Sequence, residues 1–327
     1  MNTPLDSPIR PLRIWYVASQ RLCNFDCPYC VSVGDWSKSR KTNWKSPADL
    51  KDFQKIIGWI GSLPNDVSVR LGSLGEPFTS NDFLEQAGWL TRQPNVEFVE
   101  LLSNASLLSR RLPQMGNNAN LGKLSLWLTY HDGEIDLERF FKNARVAQDD
   151  YGCFTVVNVL LFPDNGSLVE SFVDRAREYG LRYNIDLGYD PELPAESQDD
   201  FDPEHAVPIL ATTDVLRRTQ ELGGDTALTE VALQALVSPQ GSPCRAGYDH
   251  IFIGIDGEVH PCSRYSVLER QRIGNVLDPE FQLRLRENTW APCTAANSCC
   301  NKEDFLNLTQ AEALRPQQVP SLGWTNA

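Results

Sequence analysis

The sequence lacks any apolar run long enough to cross a lipid bilayer. Its longest one, residues 156–162, is interrupted by Asn158, whereas a membrane-spanning helix needs about 20 apolar residues. The N-terminal residues also lack the charged and then apolar layout of a signal peptide. We therefore expect a cytoplasmic protein that has no membrane partner.

Basic residues are few and scattered. The chain has 30 Lys and Arg against 43 Asp and Glu, which gives a formal net charge of −13, and no basic cluster interrupts this excess of acid. Proteins that bind nucleic acids need a basic surface to neutralise the phosphate backbone. We therefore expect no nucleic-acid partner.

Histidine is also scarce, at four residues, but cysteine is abundant, at nine. An odd number of cysteines in a chain without a signal peptide argues against a disulfide framework and for metal or redox chemistry. Three of them lie within residues 23–30, five lie within residues 244–300, and Cys153 stands alone. Cysteines that merely fill a core would not cluster in this way.

The first part of the chain alternates short β-type runs with amphipathic helix-type segments. The predicted strands are residues 13–18, 67–71, 96–102, 124–129, 154–162 and 183–187. The predicted helices include residues 47–60, 82–91, 136–147 and 168–179. This alternation predicts an α/β fold with βαβ units and a parallel sheet. Six such units are too few for a closed eight-stranded barrel, which typically needs about 250 residues, so we expect an open, partial barrel.

The following segment differs in composition. Residues 190–204 are rich in acid and proline and contain no basic residue, which predicts a solvated connector, with a mobile lid as the alternative. Helix-type patterns follow at residues 213–222 and 226–237. We therefore divide the chain into a partial barrel (1–189), an acidic connector with helices (190–243) and a small cysteine-rich hairpin and helix domain (244–327).

The first cysteine group directly follows the first predicted strand. Cys23, Cys27 and Cys30 have C-x3-C-x2-C spacing. Three thiolates on one loop can hold an iron–sulfur cube and leave one of its four irons without a protein ligand. Such an open position binds a substrate or cofactor in catalytic metal sites. A structural zinc loop is the alternative, but zinc usually takes four ligands there, and the nearest histidine is the distant His131.

This motif, with the aromatic Tyr29 before its last cysteine, resembles the signature of the radical S-adenosylmethionine (SAM) superfamily. The resemblance implies that SAM binds the open iron of a [4Fe–4S] cluster through its amino and carboxylate groups. One electron then cleaves SAM to methionine and a 5′-deoxyadenosyl radical, which abstracts hydrogen from an unactivated C–H bond. It also implies a flavodoxin- or ferredoxin-type electron donor.

Further motifs resemble those of the same family. Gly75, Glu76 and Pro77 are similar to the GGEP motif that cradles the amino group of SAM, although Leu74 replaces the first glycine. The resemblance implies contacts with SAM or substrate from four more polar residues: Ser103, Asn104, Thr129 and His131. At the carboxyl ends of parallel strands, these residues would all face the same opening of the partial barrel. Each residue alone is also typical of a turn.

The second cysteine group comprises Cys244, Cys262, Cys293, Cys299 and Cys300. An Asp-Gly pair at residues 256–257 lies between two β-type runs and predicts a hairpin, which would bring Cys244 and Cys262 together. We expect a helix between residue 276 and Cys293. Four of the five thiolates would complete a cluster with no open iron, and only one of the adjacent Cys299 and Cys300 is expected to ligate. A zinc ribbon is the alternative.

The second group resembles the twitch domain, a shortened relative of the SPASM extension of radical SAM enzymes. The resemblance implies one auxiliary [4Fe–4S] cluster. We expect the isolated Cys153 to lie in the core, because free cysteine is among the most buried residue types. Donation of a hydrogen atom to a substrate radical, as in related peptide epimerases, is the alternative for this residue.

The resemblance predicts an enzyme that modifies a C–H bond in a small natural product or a peptide, assisted by the auxiliary cluster. One alternative is a RiPP peptide maturase or epimerase that uses a separate recognition protein, because only 22 residues precede Cys23. An alternative of another class is a non-enzymatic, zinc-stabilised binding protein.

Overall fold

The computed structural model describes residues 9–30, 42–188, 212–224, 240–267 and 271–294. Its framework is a nine-stranded sheet whose first six strands are parallel and adjacent in chain order. They are β1 (Leu12–Ala18), β2 (Val67–Ser73), β3 (Val96–Ser103), β4 (Leu124–Thr129), β5 (Phe154–Leu161) and β6 (Arg182–Leu187). The predicted parallel α/β architecture is therefore confirmed.

One helix follows each of these strands. The helices are α1 (Pro47–Ser62), α2 (Asn81–Thr91), α3 (Leu108–Gly116), α4 (Leu137–Asp149), α5 (Gly166–Glu178) and α6 (Thr212–Glu221). Several begin where the sequence supplies a side chain that caps free backbone N–H groups. Ser46 accepts a hydrogen bond from Asp49 N, and Asp136 accepts one from Arg139 N. Among the described residues, no helix has both the length and the apolar character needed to span a membrane.

The two faces of the sheet differ in chemistry, because successive side chains of a strand point to opposite faces. Residues such as Ile14, Val69 and Val99 pack against the helices in the main apolar core. The opposite face carries large and polar side chains, among them Trp127 and a fully buried ion pair between Arg70 and Glu100. This second face is therefore also buried, but its side chains are a mixture of aromatic, charged and polar groups.

The hairpin predicted around residues 256–257 is confirmed. It is formed by β8 (His250–Ile253) and the antiparallel β9 (Glu258–His260), and Gly257 takes the positive φ of 81° that glycine tolerates best. β8 also pairs in parallel with β1, and β10 (Gly274–Asn275) extends the sheet beyond β9. The hairpin thus continues the main sheet, while the proposed division into three domains stays a prediction.

A short two-stranded sheet and a short helix complete the described C-terminal part. The sheet pairs β7 (Pro243–Cys244) with β11 (Ala291–Pro292), and α7 (Ser263–Val267) follows β9. The predicted helix at residues 226–237 and the acidic connector at residues 190–204 lie outside the described residues.

The helix expected between residue 276 and Cys293 is wrong. The described chain there has turns and extended segments but no helix. The half-buried Phe281, Leu283 and Leu285 alternate with exposed residues, and Phe281 packs against Trp59 at a ring distance of 5.8 Å. A period of two is that of extended chain rather than of a helix. Packing against the body of the molecule explains the extended course.

Helix α3 was not among the predicted helices. Its pattern is interrupted by Pro113 and by two arginines, which weakens the apolar period. The structure nevertheless buries Leu108, Leu112 and Met115 on one face of this helix. Tertiary packing therefore outweighs the poor local signal.

Candidate functional site

The two cysteine groups lie at opposite edges of the sheet. Cys23 follows β1 and lies at the carboxyl edge of the parallel strands. Because β8 is parallel to β1, Cys244 lies ahead of β8 at the amino edge, and Cys262, which follows the antiparallel β9, returns to that same edge. The molecule therefore has two separate candidate sites, with the polar face of the sheet between them.

The cysteine loop (residues 23–30) carries three thiols at the carboxyl edge, although these described side chains do not stand in an arrangement that holds a metal ion as it is. All three cysteines are half-buried, and the backbone N–H of Phe25 points at Cys23 Sγ from 3.5 Å. Burial raises the pKa of Cys27 to about 12, and the neighbouring Cys30, Glu134 and Cys23 add to the effect. A cation among these sulfurs would offset that cost, which is the chemistry of a thiolate metal site.

The segment just ahead of the cysteine loop, residues 20–22, is attached to the end of β2 by backbone hydrogen bonds. Leu74 N and Gly75 N both donate to Gln20 O, at 2.8 and 3.0 Å, and Glu76 N donates to Leu22 O at 2.9 Å. A Cβ atom on Gly75 would collide with the backbone of Arg21 and Leu22. Glycine is therefore required here by close approach of two chains.

The departure at Leu74 has a simple structural reason. Its side chain is buried in the protein, whereas a Cβ at Gly75 would meet backbone atoms. The preceding position therefore tolerates a large residue, and only the second glycine of the motif is sterically required.

A buried polar cluster holds the two ends of the segment that contains the loop. Gln20 Nε2 lies within hydrogen-bond distance of Leu22 O, Asn43 Oδ1 and Thr79 Oγ1, at 2.9, 3.0 and 3.1 Å, and shares its two N–H groups among these acceptors. Thr79 Oγ1 donates to Glu76 O at 2.7 Å, and Arg21 N donates to Asn43 O at 3.0 Å. These residues are not recognisable as a cluster from the sequence, because polar side chains far apart in sequence carry no local signal of burial.

Glu76 is buried and joins the ends of β2 and β3. Its Oε1 accepts hydrogen bonds from Ser103 Oγ at 2.8 Å and Phe78 N at 3.1 Å, and its Oε2 accepts one from Asn104 N at 2.7 Å. Burial raises the pKa of Glu76 to about 7, although these donors oppose the shift. A carboxylate has about four acceptor positions, so Glu76 retains capacity for a further donor such as an ammonium.

Asn104 also reaches the cysteine loop directly. Its Nδ2 donates to Asn24 Oδ1 at 3.2 Å and lies 4.0 Å from Cys23 Sγ. The predicted residues Ser103 and Asn104 are thus brought together with Glu76 and the first cysteine. Pro77, the last residue of the predicted motif, is buried at the start of a short 3-10 turn that Glu76 caps.

His131, just after β4, packs against the aromatic side chains of the loop. Its ring stacks on Tyr29 at 5.9 Å, Tyr29 Oη lies 3.3 Å from Nδ1, and Phe25 approaches edge-on at 6.0 Å. Burial lowers the pKa of His131 to about 4. The imidazole is therefore neutral around pH 7 and forms part of the wall beside the cysteines.

Thr129 belongs to a separate row of polar side chains that crosses β4, β5 and β6. Asn158 Nδ2 donates to Thr129 Oγ1 at 3.4 Å, and Asn184 Nδ2 donates to Asn158 Oδ1 at 2.9 Å. Both asparagines are buried. Neither was predicted as a site residue, although an asparagine that interrupts an apolar strand is a usable signal at residue 158.

Three cysteines of the second group meet at the amino edge. Cys244, Cys262 and Cys293 pack in one cluster with Ala246 and Tyr265. The pairing of β7 with β11 places Cys244 opposite Ala291, and Cys293 N donates to Ser242 O at 2.8 Å.

The structure describes three of the five cysteines of the second group. Cys299 and Cys300 lie outside the described residues. Among the residues that the structure describes, no three Cys, His, Asp or Glu side chains stand in an arrangement that holds a metal ion as it is.

Cys153 is buried in the main core just ahead of β5. This position is at the amino edge, whereas the cysteine loop, Glu76 and His131 lie at the carboxyl edge. Burial raises the pKa of the Cys153 thiol to about 12. The location fits the expected core role.

Comparison with known proteins places this architecture in a class. No family model matches the chain, and no curated protein matches its sequence. The mixed α/β fold with its parallel sheet matches radical SAM folds among solved structures. The neighbours are radical SAM enzymes of low sequence identity.

One such neighbour is SuiB of Streptococcus suis. The match to its crystal structure has a TM-score of 0.54 and 14% identity, and it covers 85% of this chain and 66% of that chain. The structure of SuiB bound to S-adenosylmethionine matches with a TM-score of 0.53 and 13% identity, and this match covers 85% of this chain and 66% of that chain. The structure of SuiB bound to the precursor peptide SuiA matches with a TM-score of 0.53 and 15% identity, and this match covers 83% of this chain and 63% of that chain. At this identity the likeness concerns the fold, and the chain spans slightly less than two thirds of SuiB.

Proposed function

We propose that this chain is a radical SAM enzyme that acts on a C–H bond of a small natural product or a peptide. In this proposal Cys23, Cys27 and Cys30 hold a [4Fe–4S] cluster that supplies the electron for reductive cleavage of SAM. The observation that carries the proposal is the three-thiol loop at the carboxyl edge of a radical SAM fold. Parallel sheets bind their ligands at this edge.

The donor set fits such a cluster. Three half-buried thiols on one loop are the number that a cube with one iron free for a cofactor requires. The loop is attached through Gly75 and through the polar cluster of Gln20, Asn43 and Thr79. This attachment would keep the thiols in a defined position beside Glu76. Such support orients metal ligands in other proteins.

Glu76 is the residue that we assign to the amino group of SAM. Its three internal hydrogen bonds fix the carboxylate, and its remaining acceptor capacity suits an ammonium. We assign SAM or substrate contacts also to Gly75, Pro77, Ser103, Asn104, Thr129 and His131. A neutral His131 can accept or donate a hydrogen bond to a hydroxyl group at pH 7.

The second cysteine group is proposed to hold an auxiliary [4Fe–4S] cluster. Its ligands would be Cys244, Cys262, Cys293 and one of Cys299 and Cys300. Four thiolates leave no open iron for SAM, so the role of this cluster would be structural or electron transfer.

A peptide substrate has specific support. A structural neighbour, SuiB, has been solved with its precursor peptide. A flavodoxin- or ferredoxin-type protein would deliver the electron in the cytoplasm. If the substrate is a peptide and the enzyme is a maturase or epimerase, a separate recognition protein would bind that peptide.

The test is anaerobic purification followed by assays for iron and for SAM cleavage. We expect a brown protein with roughly eight irons per chain, as two Fe4 cubes require, and reductive formation of 5′-deoxyadenosine from SAM. The Cys153→Ala variant serves as a thiol control outside both groups and should behave like the wild type. A colourless protein with one or two zinc ions would instead support the zinc-stabilised binding protein.

A further inference from the structure

We propose that Asn143, on α4, is a positioning residue for the candidate SAM site. It acts through the β3 turn, which we define as residues 103–106. The proposal rests on the proposed function, because it concerns how the chain orients the groups that would meet SAM and the first cysteine.

The β3 turn contains a backbone conformation that its residue disfavours. Ala105 has a φ of 62° and is fully buried. A Cβ atom crowds the carbonyl oxygen in this left-handed region, which glycine occupies readily and alanine does not. Such a conformation persists only where the surrounding structure holds it, and residues of this kind cluster at functional sites.

Most hydrogen bonds that hold Ala105 arise inside the turn itself. Ala105 N donates to Ser103 Oγ at 3.1 Å, and Ser106 N and Oγ both donate to Asn104 Oδ1, at 3.0 and 2.7 Å. Leu108 N also approaches Ala105 O at 3.4 Å from the start of α3. The turn is also held by Glu76 and by the cysteine loop, where Asn24 Nδ2 donates to Ser106 Oγ at 2.9 Å.

Asn143 supplies a contact from another element. Its Nδ2 donates to Ala105 O at 2.9 Å. Asn143 is buried on the face of α4 that otherwise presents apolar residues, among them Phe140 and Ala144. An amide buried there is costly unless it is hydrogen-bonded, so its presence is best explained by its partner, the carbonyl of the strained residue.

The β3 turn contacts both parts of the candidate SAM site, Glu76 and the cysteine loop. Ser103 Oγ and Asn104 N donate to the two carboxylate oxygens of Glu76. The Asn104 side chain meets the cysteine loop at Asn24 and Cys23. If Ala105 relaxed to a negative φ, the flanking peptide groups would rotate, and these contacts could not all persist.

The experiment is a double-mutant cycle of Asn143→Ala and Ala105→Gly in the full chain with reconstituted clusters. Iron content, the dissociation constant of SAM and the EPR signal of the reduced protein with and without SAM are measured. Asn143→Ala should keep its iron, bind SAM about tenfold more weakly and change the SAM-dependent EPR signal. Glycine carries no penalty at positive φ, so the double variant should regain SAM affinity to within about twofold of wild type.

A matched control separates positioning from general stability. Thr91 is also buried, and it accepts a hydrogen bond from Asn120 N at 2.9 Å at the other end of the helical layer. Thr91→Val should lower the melting temperature to a similar degree and leave SAM affinity unchanged. Should Asn143→Ala fail to fold, the smaller change Asn143→Ser and its combination with Ala105→Gly provide the same comparison.

The outcomes distinguish this proposal from the function on which it rests. Wild-type protein that holds no iron or does not cleave SAM would refute the proposed function. With an active wild type, unchanged SAM affinity in Asn143→Ala would refute only the positioning role. An equally impaired double variant would also refute it, because relief of the strain at residue 105 would then make no difference.

Discussion

The two cysteine groups use different means to bring thiols together. At the carboxyl edge, three cysteines lie on one short loop, and polar contacts with Gln20, Asn43 and the end of β2 hold that loop. At the amino edge, cysteines from three separate segments meet around Ala246 and Tyr265 in an apolar cluster. The first arrangement is local and polar, whereas the second depends on the tertiary fold.

This contrast suggests a division of roles. A loop with three thiols and a neighbouring carboxylate is suited to a ligand that exchanges during turnover. A cluster of thiols assembled from distant segments couples metal binding to the folding of those segments.

The largest effect is expected from removal of a thiol in either group. Cys23→Ala, Cys27→Ala or Cys30→Ala should abolish SAM cleavage and leave about half of the iron, because the second Fe4 cube would remain. Cys244→Ala or Cys262→Ala should instead lower the yield of folded protein and abolish substrate conversion, while cleavage of SAM persists. Iron content and 5′-deoxyadenosine are measured for each variant. SAM cleavage at the wild-type rate without Cys27 would end the assignment of the loop.

The attachment of the loop is tested by a pair of glycine substitutions. Gly75→Ala places a Cβ against the backbone of Arg21 and Leu22, and overpacking of this kind costs about 1–3 kcal/mol. We expect a lower melting temperature together with loss of SAM cleavage. Gly58 lies within α1 and has open space around it, so Gly58→Ala should stabilise the protein by roughly 0.5–1 kcal/mol. Equal melting temperatures for the two variants would contradict the close approach at Gly75.

Glu76→Gln should weaken SAM binding about tenfold while the cluster is retained. An amide is a poorer partner for an ammonium than a carboxylate, and a charge-assisted hydrogen bond contributes roughly 1.5–3 kcal/mol. The measurement is the dissociation constant of SAM in reconstituted protein, with Thr91→Val as a remote control. Unchanged affinity would leave Glu76 with the structural role alone that its contacts to Ser103 and Asn104 already provide.

The raised pKa of Glu76 also predicts a pH dependence. The folded, SAM-free protein binds a proton on Glu76 more tightly than the unfolded chain does, with a pKa of about 7 against the usual 4.5. The resulting stabilisation, about 3 kcal/mol at 1.36 kcal/mol per pKa unit, is present below pH 4.5 and is lost as the pH rises through 7. Denaturant unfolding of wild type and Glu76→Gln across this range should show a difference that varies with pH.

The same titration should appear in SAM binding with the opposite sign. The ammonium of SAM favours the ionised carboxylate, so affinity should rise with pH up to about 7 and then level off. Glu76→Gln should lack this rise. A pH-independent wild-type affinity would contradict a direct contact between Glu76 and the ammonium.

The smallest effect is expected at Cys153. Its thiol is buried at the amino edge, away from the cysteine loop, so Cys153→Ala should cost about 1 kcal/mol of stability or less, as single small changes in a core usually do. Iron content, SAM cleavage and substrate conversion should match the wild type. Loss of substrate conversion with normal SAM cleavage would instead revive the hydrogen-donor hypothesis for this residue.

Much of the framework was predictable from local pattern. The six parallel strands were expected within one or two residues of their observed bounds, because alternating apolar runs and capped amphipathic segments are properties of short stretches of chain. The hairpin around Gly257 was equally visible from its Asp-Gly turn. The helix expected between residue 276 and Cys293 is wrong, because the apolar period of two at Phe281 and Leu283 is that of extended chain.

The candidate site divides in the same way between local and long-range information. By itself, the sequence determined the spacing of Cys23, Cys27 and Cys30 and the Gly-Glu-Pro motif, since these are contiguous. Only the tertiary structure decided that Gln20 and Thr79 support the loop, that Glu76 is buried between two strand ends, and that Asn143 reaches the β3 turn. Those contacts join residues between 27 and 59 positions apart. Burial and hydrogen bonding at such separations depend on how the whole sheet brings its strand ends together, which no local pattern encodes.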